Sequence, residues 1–439
     1  MNTGLTRNDV SEFSSILLEA KRLYSEAVSN APSREKLWGW GFPHMKAYWK
    51  TTNESMESLL HYAEVEPHIA VNHHNKGHLQ GFVAERMLQY LGGKGLDIGR
   101  QEFCSAAHSS PDITFHVAGK TLTTDFLYRM GICANIQEHL ELKELNTILE
   151  LGAGLGTLSR CIKLMNPKVR YFILDLPETL LFSFCYLRSN FPNASYKYVT
   201  RKEDMASGLD GYEFVFVPSH FSPELPKLKI DLAVNTHSLG EMRQEHSLYY
   251  MKLFQTHLQV RHFYSLNRYL EPYRTNPEAS VSAMLDPHWT TVRWDFNPTI
   301  TVIDRPTIPV DLMCTLELLV ERVPESKRKE SDYGKLSQEW LTKAKETELK
   351  GQAWHRSMWE SVRLNPNLEN LPLYVEFLGN AECREWPYYR DLLISLGGQV
   401  PQITPSAEKL FAQRQSKLRR KIRGMIRAVG KKVLAWLGI

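Results

Sequence analysis

The sequence predicts an α/β protein, a parallel sheet with helices on both faces, extended by helical regions before and after it. Two observations carry that prediction. From residue 147 onward, short apolar or β-branched runs alternate with amphipathic stretches, as strands and helices do in a parallel sheet. Outside that region, apolar residues recur at helical spacing instead. The chain's 439 residues exceed the ~100–200 of one ordinary domain. A composition of 43% hydrophobic, 23% charged and 11% aromatic residues excludes a mainly disordered or low-complexity chain.

Residues 1–125 are the expected helical amino-terminal region. Leu17, Leu18, Ala20, Leu23 and Ala27 give helical periodicity, and Trp38, Trp40, Phe42, Tyr48 and Trp49 punctuate the next stretch. TTDFLYRMGICANIQEHL reads as a helix capped by Thr123 or Thr124. The sheet is expected over 126–322, with strands at 147–151, 169–174, 213–217, 231–234 and 261–266. The β-rich segments 298–304 and 309–322 would close it as a hairpin. After Pro324 a mixed-charge stretch opens a helical extension over 323–408, interrupted by a loop at Asn365-Pro366-Asn367.

Residues 409–439 form a basic tail with ten Lys or Arg and no Asp or Glu. Without the tail the body carries 43 basic and 49 acidic residues, a net charge of −6, which argues against a basic nucleic-acid-binding surface. On a helical wheel Leu418, Ile422, Met425, Ile426, Val429, Val433, Trp436 and Leu437 share one arc, and basic residues fill the rest. Residues 414–437 therefore have the pattern of an interfacial helix suited to an anionic membrane surface; packing on the body and binding to a partner or RNA compete with it. The polar start, MNTGLTRNDVSEFSS, and the lack of any apolar run of ~18–20 residues predict a cytoplasmic protein. The tail would make it peripheral on the inner face of the cytoplasmic membrane. Six scattered cysteines without a CxxC pair suit reduced thiols. His73, His74 and His78 have i, i+4 spacing without a third ligand nearby, and no metal site is expected.

The sharpest local signal is Glu150-Leu151-Gly152-Ala153-Gly154-Leu155-Gly156-Thr157, which follows a strand and opens a helix. Glycines allow positive φ and let the backbone approach a ligand closely. A dinucleotide fingerprint, G-x-G-x-x-G/A, would need Gly or Ala at 157, where Thr157 stands. The spacing E-x-G-x-G-x-G suits instead a ligand with an amino-acid part and a nucleoside but no pyrophosphate. Glu150 would accept hydrogen bonds from an ammonium group. Asp175, closing the next strand and followed by Leu176, would accept two from ribose hydroxyls.

This arrangement resembles the Rossmann-like class of S-adenosylmethionine-dependent methyltransferases. FILDLPETLLFSFCYL, DLAVNTHSLGEM and FYSLNRYL further resemble the sugar O-methyltransferase family of bacterial surface-polysaccharide gene clusters, over residues from about 145 to 270. Its NTxSxGEM and LNR motifs are matched by Asn235-Thr236-His237-Ser238-Leu239-Gly240-Glu241-Met242 and Leu266-Asn267-Arg268. The resemblance implies S-adenosyl-L-methionine as cofactor, bound through Glu150, Gly152, Ala153, Gly154, Gly156, Thr157, Asp175 and Leu176. His220, after the third strand, is placed where such folds contact adenine. The implied acceptor is a sugar, nucleotide sugar or lipid-linked glycan.

Ligands of open parallel sheets bind at the carboxyl ends of the strands. Asn235, Ser238, Asn267 and Arg268 are therefore candidates for the acceptor side. A sugar hydroxyl must lose its proton to attack a methyl group, so a base is needed. His237, with an unperturbed pKa of ~6.5, is the first candidate. Glu241 would share a helical face with it if a helix began near Ser238, orienting the imidazole or serving as base. Base N-methylation is disfavoured because no proline follows Asn235. The alternatives are methylation of another small metabolite or of RNA ribose, and a non-catalytic glycan-assembly scaffold docked on a membrane.

Overall fold

The computed structural model describes residues 7–31, 78–96, 98, 103, 114–117, 119–206, 208–242, 244–268, 284–296, 315–324, 327, 329, 331–347, 352–380 and 386–402. The tail, including 414–437, and the strand expected at 298–304 lie outside these residues. The chain divides into two compact units, one of residues 1–267, 288–310 and 315–325, the other of 268–287, 311–314 and 326–439.

In the first unit, helices α1 (Arg7–Ser29) and α2 (His78–Gly93) and a hairpin of β1 (Thr114–Val117) and β2 (Lys120–Thr123) precede the sheet. That hairpin went unseen in a region expected to be helical. Helix α3 (Thr124–Gln137) starts as expected: Thr123, in extended conformation, accepts a 3.1 Å hydrogen bond from the Phe126 N–H. There follow β3 (Thr147–Leu151), α4 (Thr157–Met165), β4 (Arg170–Asp175), α5 (Pro177–Asn190), β5 (Tyr196–Tyr198), β6 (Phe214–Pro218), β7 (Lys229–Thr236), α6 (Gln244–Lys252), β8 (Gln259–Arg268), β9 (Trp289–Phe296) and β10 (Thr315–Arg322).

Among the described residues, eight strands form one sheet in the order β5-β6-β4-β3-β7-β8-β10-β9. From β5 through β8 all neighbours are parallel. Every residue of β3 and β6 is buried, as expected of strands covered by helices on both faces. This is the Rossmann-like α/β arrangement. From β3 the chain winds outward through β4 to β6, then returns to place β7 on the other side of β3. The order therefore reverses between β3 and β7, and in open parallel sheets ligands bind at the carboxyl ends of the strands at such a reversal.

The amino-terminal helix belongs to this unit. On α1, Tyr24 donates its hydroxyl to Glu178 Oε1 at 3.2 Å and Asn30 donates to the Thr200 carbonyl at 3.0 Å. Among the described residues the closing hairpin pairs β10 with β9. Arg293 and Asp295 put two charges into β9, a strand with no apolar run in its sequence. Both are paired with opposite charge in the fold: Arg293 meets Asp295 at 3.2 Å, Glu138 at 3.0 Å and the fully buried Glu317 at 3.0 Å, while Tyr264 donates to Glu317 at 2.7 Å.

The second unit contains α7 (Ser331–Glu346), α8 (Gln352–Leu364), α9 (Leu371–Asn380) and α10 (Trp386–Ser395). The loop after α8 is held by Asn370, which donates to Ser361 Oγ and to the Asn365 carbonyl, both at 3.0 Å.

Candidate functional site

The glycine turn between β3 and α4 is built on three left-handed residues, with φ of 74° at Gly152, 60° at Gly154 and 89° at Gly156. A Cβ at Gly154 would meet nothing within 4 Å among the described residues, so the turn leaves room there. At Gly156 a Cβ would stand 3.3 Å from Ser183 Cβ and from Leu187 Cδ1, because α5 packs directly on the turn. Thr157, buried, begins α4, and Ala153 accepts through its carbonyl from the Gly156 N–H at 3.0 Å. Gly156→Ala is therefore expected to destabilise the fold more than Gly154→Ala. Both incur about 1–2 kcal/mol for left-handed backbone, and only the first adds an overpacked contact of about 1–3 kcal/mol. Urea denaturation of the two variants measures the difference.

Strand register levels the site. Leu151 of β3 pairs with Leu174 of β4 and Asn235 of β7, and Thr236 of β7 pairs with Leu266 of β8. The glycine turn, Asp175, Asn235, His237, Ser238 and Asn267 therefore share one rim. Asp175 is buried, accepting from the Gly154 N–H at 3.0 Å and the Leu176 N–H at 2.7 Å. Burial pushes its carboxyl up to about 7, against those two hydrogen bonds and with help from the charges of Glu150 and Glu178. Leu176 provides the backbone donor and leads into α5 through Pro177.

Glu150 is buried and turned into the protein. Its Oε2 accepts from Ser159 at 2.7 Å and Tyr171 at 2.8 Å. Burial raises its pKa, offset by those two donors and by the charge of Arg129. His220 lies in the 3-10 segment after β6, its ring 4.2 Å from that of Phe221. Burial lowers its pKa, opposed by a hydrogen bond to the backbone of Ala27 on α1.

The acceptor-side candidates divide into two groups. Asn235 and Asn267 are saturated within the protein. Asn235 donates to the Leu151 carbonyl and to Ser238, and its Oδ1 accepts from the Leu239 N–H at 3.2 Å and from Asn267 at 2.9 Å. Asn267 also donates to Ser265 and accepts from the Gly240 N–H, and Ser238 donates to Leu151 at 3.0 Å. These three side chains lock the ends of β3, β7 and β8 together. Arg268 ends β8, and its side chain is outside the described residues.

His237 follows β7 with φ of +67°, a conformation that side chains other than glycine rarely adopt and that costs about 1–3 kcal/mol. Its N–H donates to the Leu266 carbonyl at 2.8 Å, and its buried ring meets the Tyr128 hydroxyl through Nε2 at 2.8 Å. The expected helical face shared with Glu241 is absent. Ser238 is followed only by a three-residue 3-10 turn, Leu239–Glu241, before α6, and Asn235 and Asn267 accept from the backbone N–H groups of Leu239 and Gly240. Glu241 closes that turn, and its side chain is not among those described.

Two residues of the rim were not anticipated. Tyr128 and Arg129 reach it from α3, the helix before the sheet. Arg129 donates to Thr236 Oγ1 and to Asp125 Oδ1, both at 3.2 Å, and its guanidinium lies 5.2 Å from the centre of the Tyr128 ring. The available signal was a polar pair inside an otherwise buried helix, beside Phe126, Leu127, Met130, Ile132 and Cys133. Among the described residues no group of His, Cys, Asp and Glu could hold a metal ion, and Cys133, Cys161 and Cys185 are free and buried.

No protein-family model matches this chain, and no curated protein matches it by sequence. Among solved structures it is similar to residues 942–1257 of the StiE O-MT, with 10% identity and a TM-score of 0.29, covering 46% of this chain and 74% of that one. It is also similar to the mitomycin 7-O-methyltransferase MmcR, with 11% identity and a TM-score of 0.27 over 55% of this chain and 67% of that one. A third is magnesium protoporphyrin IX methyltransferase (ChlM) from Synechocystis PCC 6803 with bound SAH, with 11% identity and a TM-score of 0.30 over 54% and 99%. At such identities and scores the functional reading rests on the chain's own strand order and rim residues.

Proposed function

We propose that the protein is an S-adenosyl-L-methionine-dependent O-methyltransferase acting on a sugar hydroxyl during surface-polysaccharide assembly. The observation that carries the cofactor is the glycine turn at the strand-order reversal, with room for a Cβ at Gly154 and tied by the Gly154 N–H to Asp175. The sugar class rests on the motifs at 175–177, 235–242 and 266–268. A nucleotide-linked or lipid-linked acceptor fits the same reading, and residues 414–437 would hold the enzyme on an anionic membrane surface. Among the described residues no helix is long and apolar enough to cross a membrane.

Bound S-adenosylmethionine supplies a methyl group on a sulfonium, an electrophile whose leaving group needs no protonation. The protein then has two tasks. The rim must hold the acceptor oxygen in line at about 3 Å. A base must take its proton, typically a contribution of ~10²–10⁴-fold. His237 takes the second role, its ring anchored through Nε2 by Tyr128 and its backbone by Leu266. Asn235, Ser238 and Asn267 act indirectly, by holding that strand end in place.

The test is titration calorimetry with S-adenosylmethionine and S-adenosylhomocysteine on the wild type and a Gly154→Arg variant. Micromolar binding lost in the variant is the expected result. Methyl transfer to nucleotide sugars and lipid-linked glycans is then measured, and His237→Ala is expected to lower kcat about 10²–10⁴-fold with S-adenosylhomocysteine affinity retained. A folded wild type that binds neither compound overturns the reading.

A further inference from the structure

We propose that Arg129 of α3 binds the α-carboxylate of the cofactor's amino-acid part. This assignment rests on the methyltransferase reading and adds a ligand contact from outside the sheet and its glycine turn.

In the sheet β3 lies between β4 and β7. The nucleoside end of the cofactor is placed at β4 by Asp175, whose oxygens face the glycine turn and the start of α5. A ligand that starts at β4 and crosses the turn on β3 brings its other end to β7. At the end of β7 stands the Arg129 guanidinium, 3.2 Å from Thr236 Oγ1.

A guanidinium is a planar fork of five donors that matches a carboxylate in two parallel hydrogen bonds. Here the fork is oriented before any ligand arrives. Asp125 receives Nε, Thr236 receives Nη1, and the group lies against the Tyr128 ring. Only 12% of the side chain is exposed, so a charge-assisted bond there is little weakened by water. The carboxylate of Glu150 acts electrostatically on the same guanidinium.

The competing reading is that Arg129 only ties α3 to β7. The two readings differ in which ligands notice the side chain. Titration calorimetry on the full chain would use S-adenosylhomocysteine, its methyl ester, and 5′-methylthioadenosine, which keeps the nucleoside and lacks the amino-acid part. In the wild type the ester is expected to bind roughly 10- to 100-fold more weakly than the acid. Arg129→Met is expected to lose a similar factor for S-adenosylhomocysteine and to bind 5′-methylthioadenosine within about twofold of wild type, with Arg129→Lys between the two.

Three results overturn the proposal. One is equal affinity of the wild type for acid and ester, which needs no variant to fold. The second is an Arg129→Met protein that holds S-adenosylhomocysteine as tightly as wild type. The third is a variant that loses both ligands equally, which assigns Arg129 to the fold alone. In each of these the wild type still binds the cofactor, so the methyltransferase reading stands. A wild type that binds no adenosyl compound overturns both.

Discussion

Asp175→Asn is expected to weaken S-adenosylhomocysteine binding roughly 10- to 100-fold, the range lost with one or two hydrogen bonds to a charged group. The carboxylate accepts from the N–H groups of Gly154 and Leu176, one on each oxygen, and its remaining lone pairs are those offered to ribose. An amide of the same shape presents one donor where both backbone partners also donate. One of the two N–H groups therefore loses its acceptor, and the turn loosens where the ligand must sit. Calorimetry measures the affinity, and a melting curve close to wild type shows that the fold survives. Unchanged affinity would remove Asp175 from the cofactor site.

The same carboxylate predicts a pH dependence with a definite sign. Burial raises its pKa from 3.8 to about 7 in the free protein. Its stabilising contribution is therefore complete below the unfolded value and is lost as pH rises through about 7. Hydroxyl donors favour the charged form, so ribose binding pulls the pKa back down and releases a proton. Affinity should fall as pH drops below about 7, by up to about tenfold per unit. Calorimetry in buffers of different ionisation enthalpy should show proton release between those limits. Proton uptake, or affinity that rises on acidification, contradicts the assignment.

Asn235→Ala is expected to lower global stability by about 3–4 kcal/mol, one of the larger effects available to a single substitution. Its amide holds four partners: the Leu151 carbonyl, Ser238, the Leu239 N–H and Asn267. Truncation leaves several of these buried without a partner, at about 1–3 kcal/mol each before relaxation. The midpoint of urea denaturation should shift with its slope unchanged. A variant as stable as wild type but defective with a methyl acceptor would return Asn235 to direct substrate binding.

Much of the fold was legible in the chain because its signals are local. The strands at 147–151 and those that follow are apolar runs long enough to be buried on both faces, and Thr123 caps α3 with its own side chain. The strand at 289–296 was not legible, since Arg293 and Asp295 are tolerable in a sheet only when Glu317 and Glu138 arrive from elsewhere in the chain.

The candidate site divides along the same physical line. By itself the sequence determined the glycine turn, the aspartate that closes β4 and the stretch from Asn235 to Ser238. Backbone conformation and position along a strand are properties of neighbouring residues. Which side chains face a ligand was decided only by tertiary structure. A buried polar atom takes whichever partner lies nearest in space. Asn235 found Leu151 and Asn267, Glu150 found Ser159 and Tyr171, and His237 found Tyr128. Those partners come from separate strands and from the helices α3 and α4, brought together only by the fold.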